Sequence, residues 1–215
     1  MTRIVAIDIA KSIGILLVAL GHNRAFTNEI HLAHSFIYLF HMPLFFMISG
    51  MTLNNVTDWD KMRMRIKYLL WPYAASFVIF LPRQLSIPDH PSNQNIISGA
   101  LWGSGNAIYN TPSWFLVALA TGLLVTFAIS KFIEIRSNSG FLLAVALVLI
   151  NLQLLGQFPA PFQDSTGRPL GLPFNLDLAP LVSGYIIIGA NLMRFIDKVP
   201  RSGLFGALSL ASIPL

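Results

Sequence analysis

Six long apolar runs, separated by short polar or basic connections, dominate the chain at about residues 4–22, 33–53, 68–87, 113–130, 140–157 and 175–193. A helix needs about 20 apolar residues to cross the hydrocarbon core of a bilayer. Nothing else in the sequence constrains the fold as strongly. Charged residues make up 11% of the 215 positions, against about 25% in soluble domains. Nine acidic and fourteen basic side chains cannot clothe the surface of a soluble globule, so lipid is expected to cover much of it. The expected fold is all-α: one domain over residues 1–215, a polytopic transmembrane helix bundle of six complete spans plus a partial seventh.

The basic residues set the expected orientation. DWDKMRMRIK, between the second and third runs, holds Lys61, Arg63, Arg65 and Lys67. KFIEIR, between the fourth and fifth, holds Lys131 and Arg136, and RFIDKVPR after the sixth holds Arg194, Lys198 and Arg201. With Arg3, one side carries ten of the fourteen bases. The other side carries Arg24, Arg83 and Arg168, and Lys11 lies within a run. Cytoplasmic loops hold the excess of Lys and Arg, so loops 54–67, 131–139 and 194–201 and the N-terminus are expected inside. The same clustering argues against a nucleic-acid partner despite the net charge of +5, because the bases form topology signals rather than a binding stripe. The outer loops 88–112 and 158–174 are rich in Pro, Gly and Asn and are expected to be irregular.

The first run is expected to be a retained span rather than a signal peptide. Asp8 and Lys11 interrupt its apolar centre, and no small-x-small cleavage site follows before Asn23. The absence of cysteine excludes disulfides, thiolate metal sites and cysteine nucleophiles.

Ionisable residues inside a span mark function by default. Asp8 and Lys11 are three residues apart and can pair on one helix face. His22 follows Lys11 by eleven residues, about three turns, so all three lie near one stripe with Lys11 and His22 about 16 Å apart along the axis. They cannot touch each other, but one elongated substrate can touch both. The plainer reading has Lys11 snorkelling or pairing with Asp8, and His22 as an interfacial polar cap. The second run adds FIYLFHMPLFFMISG. His41 stands mid-run beside Met42-Pro43, where the missing donor of Pro43 should open the helix, and Ser49-Gly50 permits a close helix approach. Taken alone, this run reads as a kinked packing helix with one satisfied histidine. Asn175 and Asp177 open the sixth run and are expected to cap it, with lining of the outer vestibule as the alternative.

AIDIAKSIGILLVALGH followed by FHMPLFFMISG resembles the opening of integral-membrane acyltransferase family 3, whose members transfer acyl groups, usually acetyl, to cell-surface sugars. The family's basic residue, ten intervening residues and histidine correspond to Lys11 and His22. Its Phe-Phe run before Ser-Gly corresponds to Phe45, Phe46, Ser49 and Gly50. HMP, PSWFLVAL and LPFNLDLAP with GYIIIG look most like the fucose O-acetylase branch, which often has Lys where O-antigen acetylases have Arg. The likeness runs from about residue 5 to 200. The Arg-x-x-Arg pair of the family is replaced by Arg63-x-Arg65-x-Lys67, so its role does not carry over by position.

The resemblance implies an O-acyltransferase of the cell inner membrane that moves acetyl from acetyl-CoA, a donor substrate rather than a resident cofactor, to a carbohydrate hydroxyl. Such a reaction needs a base for the hydroxyl proton, a donor for the oxyanion and a held thioester. His22 is the candidate base and Lys11 its catalytic companion, supported by Asp8, His41 and Ser49. Arg63, Arg65 and Lys67 would hold nucleotide phosphates at the inner mouth, although positive-inside retention already explains them. No metal ligands are expected. The alternative function is a polytopic transporter or flippase, in which Asp8, Lys11 and His41 relay protons or bind a solute. A final expectation concerns completeness. The family usually has about ten spans, and SGLFGALSLASIPL (residues 202–215) reaches only about 21 Å of a roughly 30 Å core, so the chain is expected to be C-terminally truncated.

Overall fold

The computed structural model describes residues 5–22, 31–54, 56–86, 93–103, 113–154 and 171–196. Among these residues the chain is helical, without strands: α1 (Val5–Gly21), α2 (His31–Met51), α3 (Trp59–Leu85), α4 (Asn93–Trp102), α5 (Trp114–Ile129), α6 (Asn138–Leu154) and α7 (Ala179–Ile196), with a 3₁₀ turn at Pro173–Asn175 before α7. Arg3, Arg24, Arg168, Lys198, Arg201 and the segment 202–215 lie outside the described residues.

Each expected run has its helix, but crossing a bilayer is another matter. Among the described residues, only Pro173–Arg194 is both long and apolar enough to do so by length and composition; Phe40–Met51, Trp114–Ile129 and Asn138–Leu154 are apolar but shorter. At 1.5 Å per residue, the 16 residues of α5 reach about 24 Å, short of a typical core. Helix length by itself therefore does not carry six spans.

Three expectations are corrected. The inner loop 54–67 is largely helix, because Asp58 starts α3 early: its Oδ1 accepts from the Lys61 N–H at 3.2 Å, and its Oδ2 meets Lys61 Nζ at 3.0 Å. A side-chain oxygen on the N–H three residues later is how an N-cap satisfies an otherwise orphaned donor. The outer loop 88–112 is not wholly irregular, since α4 lies inside it. Pro43 does not open α2, which continues through it; α3 likewise runs through Pro72 and Pro82. One proline removes one hydrogen bond, and the bonds on either side carry the helix onward.

The centre of the bundle is α7, which packs on α2, α5 and α6, while α3 packs on α5 and α1 chiefly on α2. Small residues bring these axes together. A Cβ on Gly50 would fall 1.8 Å from the Ile186 carbonyl oxygen, and one on Gly189 would fall 2.0 Å from that of Met47. Only glycine allows the two backbones to touch in this way. Phe46, Leu119, Leu123, Val182, Ile186 and Ile187 fill the core around that contact. Within it Thr126 and Ser183 bond hydroxyl to hydroxyl at 3.0 Å, joining α5 to α7.

Candidate active site

The first helix is unbroken from Val5 to Gly21, so Asp8, Lys11 and His22 keep regular helical spacing. Lys11 Nζ lies 3.9 Å from Asp8 Oδ1, with the pair at 44% and 35% side-chain exposure. That is a partly solvated pair and not a sealed one. Ser12 Oγ donates back to the Asp8 carbonyl at 2.9 Å. His22 stands one residue beyond the helix. Its N–H donates to the Val18 carbonyl at 3.1 Å, and its Nδ1 lies 2.9 Å from the same oxygen. The ring is exposed.

In α2, His41 is 2% exposed, and its Nδ1 lies 2.6 Å from the Ile37 carbonyl. Phe45 and Phe46 follow, packing on Phe115 of α5 with ring centroids 5.7 and 5.3 Å away. Ser49 is half-buried, and its carbonyl accepts from Thr52 Oγ1 at 3.1 Å. Its neighbour Gly50 forms the α2–α7 contact.

The cations before the third run do not share one face. Arg63 is exposed and reaches Asp60 at 3.5 Å, and Lys67 is exposed. Arg65, about 200° round the helix from either, is half-buried and donates to the Thr52 carbonyl. Arg136, from the connection between α5 and α6, donates to the Leu53 carbonyl at 2.7 Å and reaches Asn54 Oδ1 at 3.5 Å. Two guanidinium groups thus bond the carbonyls of Thr52 and Leu53, the first two residues past the end of α2. Lys131 donates to the Thr57 carbonyl at 3.0 Å and stands 4.3 Å above the Phe127 ring. A cavity of about 180 Å³ lies in this region, lined by Leu53, Val56, Thr57, Ser130, Glu134 and Arg136 among others. Leu53 is twelve residues beyond His41, about 18 Å along a helical path, so this cavity is separate from the histidines.

Asn175 and Asp177 do not cap α7. Asn175 is buried, with φ of 55°, and its Nδ2 donates to the Gly103 carbonyl at 3.0 Å. Asp177 Oδ1 accepts from the Leu172 N–H at 3.1 Å, and its carbonyl accepts from Asn151 Nδ2 at 2.9 Å. Both fasten the turn that leads into α7, and α7 itself starts two residues later.

Sequence reasoning missed Asp58, Arg136 and Asn191. Asn191 Nδ2 donates to the Ile135 carbonyl at 2.6 Å, and its Oδ1 accepts from Arg194 at 3.0 Å. The signal for Asp58 was present, as an Asp directly ahead of Trp59-Asp60-Lys61 is a helix-start pattern. Arg136 and Asn191 bond to backbone far away in the chain, and no local pattern marks such a partner.

A bundle of apolar helices that leaves many large apolar side chains exposed is the frame in which these residues are held. A family model described as an acyltransferase domain matches residues 4–213. The chain belongs to this family, acyltransferase family 3, and carries its acyltransferase domain over nearly its whole length. No curated protein and no solved structure matches it.

Proposed function

We propose that the protein transfers an acetyl group from acetyl-CoA to a hydroxyl of a cell-surface or exported carbohydrate, as a multi-pass protein of the inner membrane with its N-terminus in the cytoplasm. The observation that carries this reading is the family match across residues 4–213, within which Lys11 lies on one unbroken helix and His22 follows its last residue. The exposed Ile9, Ile13, Ile15, Leu16 and Leu20 of α1, and Trp71, Val78, Ile79 and Phe80 of α3, support a lipid-facing surface; apolar exposure on this extent marks contact with lipid or protein.

His22 is the base. The Val18 carbonyl can only accept, so Nδ1 carries the hydrogen and Nε2 is the basic nitrogen of the neutral ring. It removes the hydroxyl proton as the acceptor oxygen attacks the thioester carbonyl. Lys11, about 16 Å from His22 along the axis and 3.9 Å from Asp8, lines the path of the pantetheine arm on the cytoplasmic side. Arg63 and Lys67, exposed on one face of α3, are placed to meet nucleotide phosphates at that mouth; Arg65 stays on Thr52. The test is to incubate membranes carrying the protein with labelled acetyl-CoA, with and without a panel of methyl glycosides. Acceptor-dependent release of CoA thiol and label on the glycoside are expected. Solute flux without consumption of acetyl-CoA would instead show a transporter.

A further inference from the structure

The α2–α3 and α5–α6 connections face each other across the cavity of about 180 Å³. One wall comes from residues 53–57 and the other from residues 130–136. Surface connections are ordinarily the more mobile parts of a fold, yet three side chains fix this pair. Arg136 crosses to the Leu53 carbonyl at 2.7 Å, and Lys131 crosses to the Thr57 carbonyl at 3.0 Å. From α7, Asn191 donates to the Ile135 carbonyl at 2.6 Å. The cavity is therefore built before any ligand arrives. At about 30 Å³ per water, it has room for about six waters. That is less than the roughly 300–1,000 Å³ of pockets that enclose whole drug-sized molecules. It suits one ring system at the end of a larger molecule.

The lining selects among such rings. Leu53, Val56 and Ile133 supply apolar walls, and Leu53 is buried. Arg136 and Glu134 supply one positive and one negative group, so the balance favours a neutral occupant over an ion. The polar groups also have capacity left. Among the described residues, Nη2 makes both hydrogen bonds of the Arg136 side chain. A guanidinium has five N–H donors, which leaves three. None of the ion pairs among the described residues uses Glu134. Ser130 Oγ gives its hydrogen to the Phe127 carbonyl at 2.7 Å and keeps its lone pairs for a donor. A flat apolar ring with amine donors and ring-nitrogen acceptors along its edge matches this set, and a planar guanidinium also stacks on aromatic faces.

We propose that this cavity seats the adenine of acetyl-CoA at the cytoplasmic end of the bundle. This rests on the acyl-transfer reading above and on the inward orientation of loops 54–67 and 131–139. Lys131, exposed at the Thr57 edge, presents its charge and its remaining N–H groups to the phosphates. Leu53 lies about 18 Å along the helical path from His41. The base is thus anchored at one end while the arm and thioester run on into the bundle.

Two measurements on membranes carrying the protein test this. The first is equilibrium binding of labelled adenosine 3′,5′-bisphosphate, which is the nucleotide end of CoA without arm or acyl group. Saturable binding displaced by acetyl-CoA is expected, with uridine 3′,5′-bisphosphate at least about 10-fold weaker. Val56→Trp and Ile133→Trp fill the cavity from opposite walls and are expected to lose that binding. The second is transfer to methyl glycosides from acetyl-CoA and from S-acetylpantetheine, which has the arm and thioester but no nucleotide. Both variants are expected to raise KM for acetyl-CoA at least about 10-fold while turning over S-acetylpantetheine as the wild type does, which also shows them to be folded. Equal binding of the two bisphosphates, wild-type binding in the tryptophan variants, or KM rising equally with both donors would overturn the adenine site and leave the transferase reading intact. Transfer from acetyl-CoA without saturable nucleotide binding would do the same. Adenosine-selective binding without transfer from either donor would sink the transferase reading and leave the nucleotide site standing, and the absence of both would overturn both.

Discussion

Lys11 on α1 and His22 one residue past its end make different demands on substitution. Replacing His22 with Ala is expected to lower transfer by about 10²- to 10⁴-fold, the usual worth of a general base, while the protein still inserts into membranes. Lys11→Ala is expected to be severe and Lys11→Arg tolerated, since either cation meets Asp8 and a passing polar arm. Steady-state transfer in membranes, normalised to inserted protein, measures all three; near wild-type turnover in His22→Ala would remove it from the base role. The helical spacing of Lys11 and His22 was legible in the sequence, because periodicity alone fixes it. The packing of α1 on α2 was not, since no count of residues along the chain encodes how one helix folds back on another.

Among the helices, α3 and the α2–α7 pair show two ways in which local chemistry sets an element. α3 begins where Asp58 caps it, and bonds from the Lys61 side chain and N–H hold the Asp58 carboxyl below its ordinary value of 3.8. A depressed carboxyl stabilises the fold above that ordinary value, and the contribution fades as pH falls through the folded value. Asp58→Ala is therefore expected to melt below wild type at neutral pH in detergent, with the gap closing in acid. A gap that persists unchanged at about pH 2, beneath the ordinary carboxylate range, would show that the charge is irrelevant. At the other contact, Gly50→Ala places a methyl against main chain that cannot swing aside. The expected cost is about 1–3 kcal/mol, the range for overpacking, read as a lower melting temperature, whereas Ser49→Ala, on a half-buried neighbour, is expected to cost less. Hydropathy revealed these helices as apolar runs, but it hid the first turns of α3, where charge masks a helix, and it hid α4, whose ten residues are too few and too polar to stand out.

For the molecule in its membrane, the ten-to-three partition of basic residues in the sequence predicts that the start of α3 faces the cytoplasm. The chain has no native thiol, so a single cysteine at Met64, an exposed position, is expected to resist an impermeant reagent in intact cells and to react once the membrane is opened; labelling in intact cells would invert the orientation. Arg65 and Arg136 stand on that same side and grip main-chain oxygens at Thr52 and Leu53, while Lys131 grips the one at Thr57. A carbonyl oxygen is presented by every kind of amino acid. The fastening therefore places its demand on the cations alone, and over evolutionary time the exposed turn at Thr57 is free to drift in identity while the grip that closes this end of the bundle is kept.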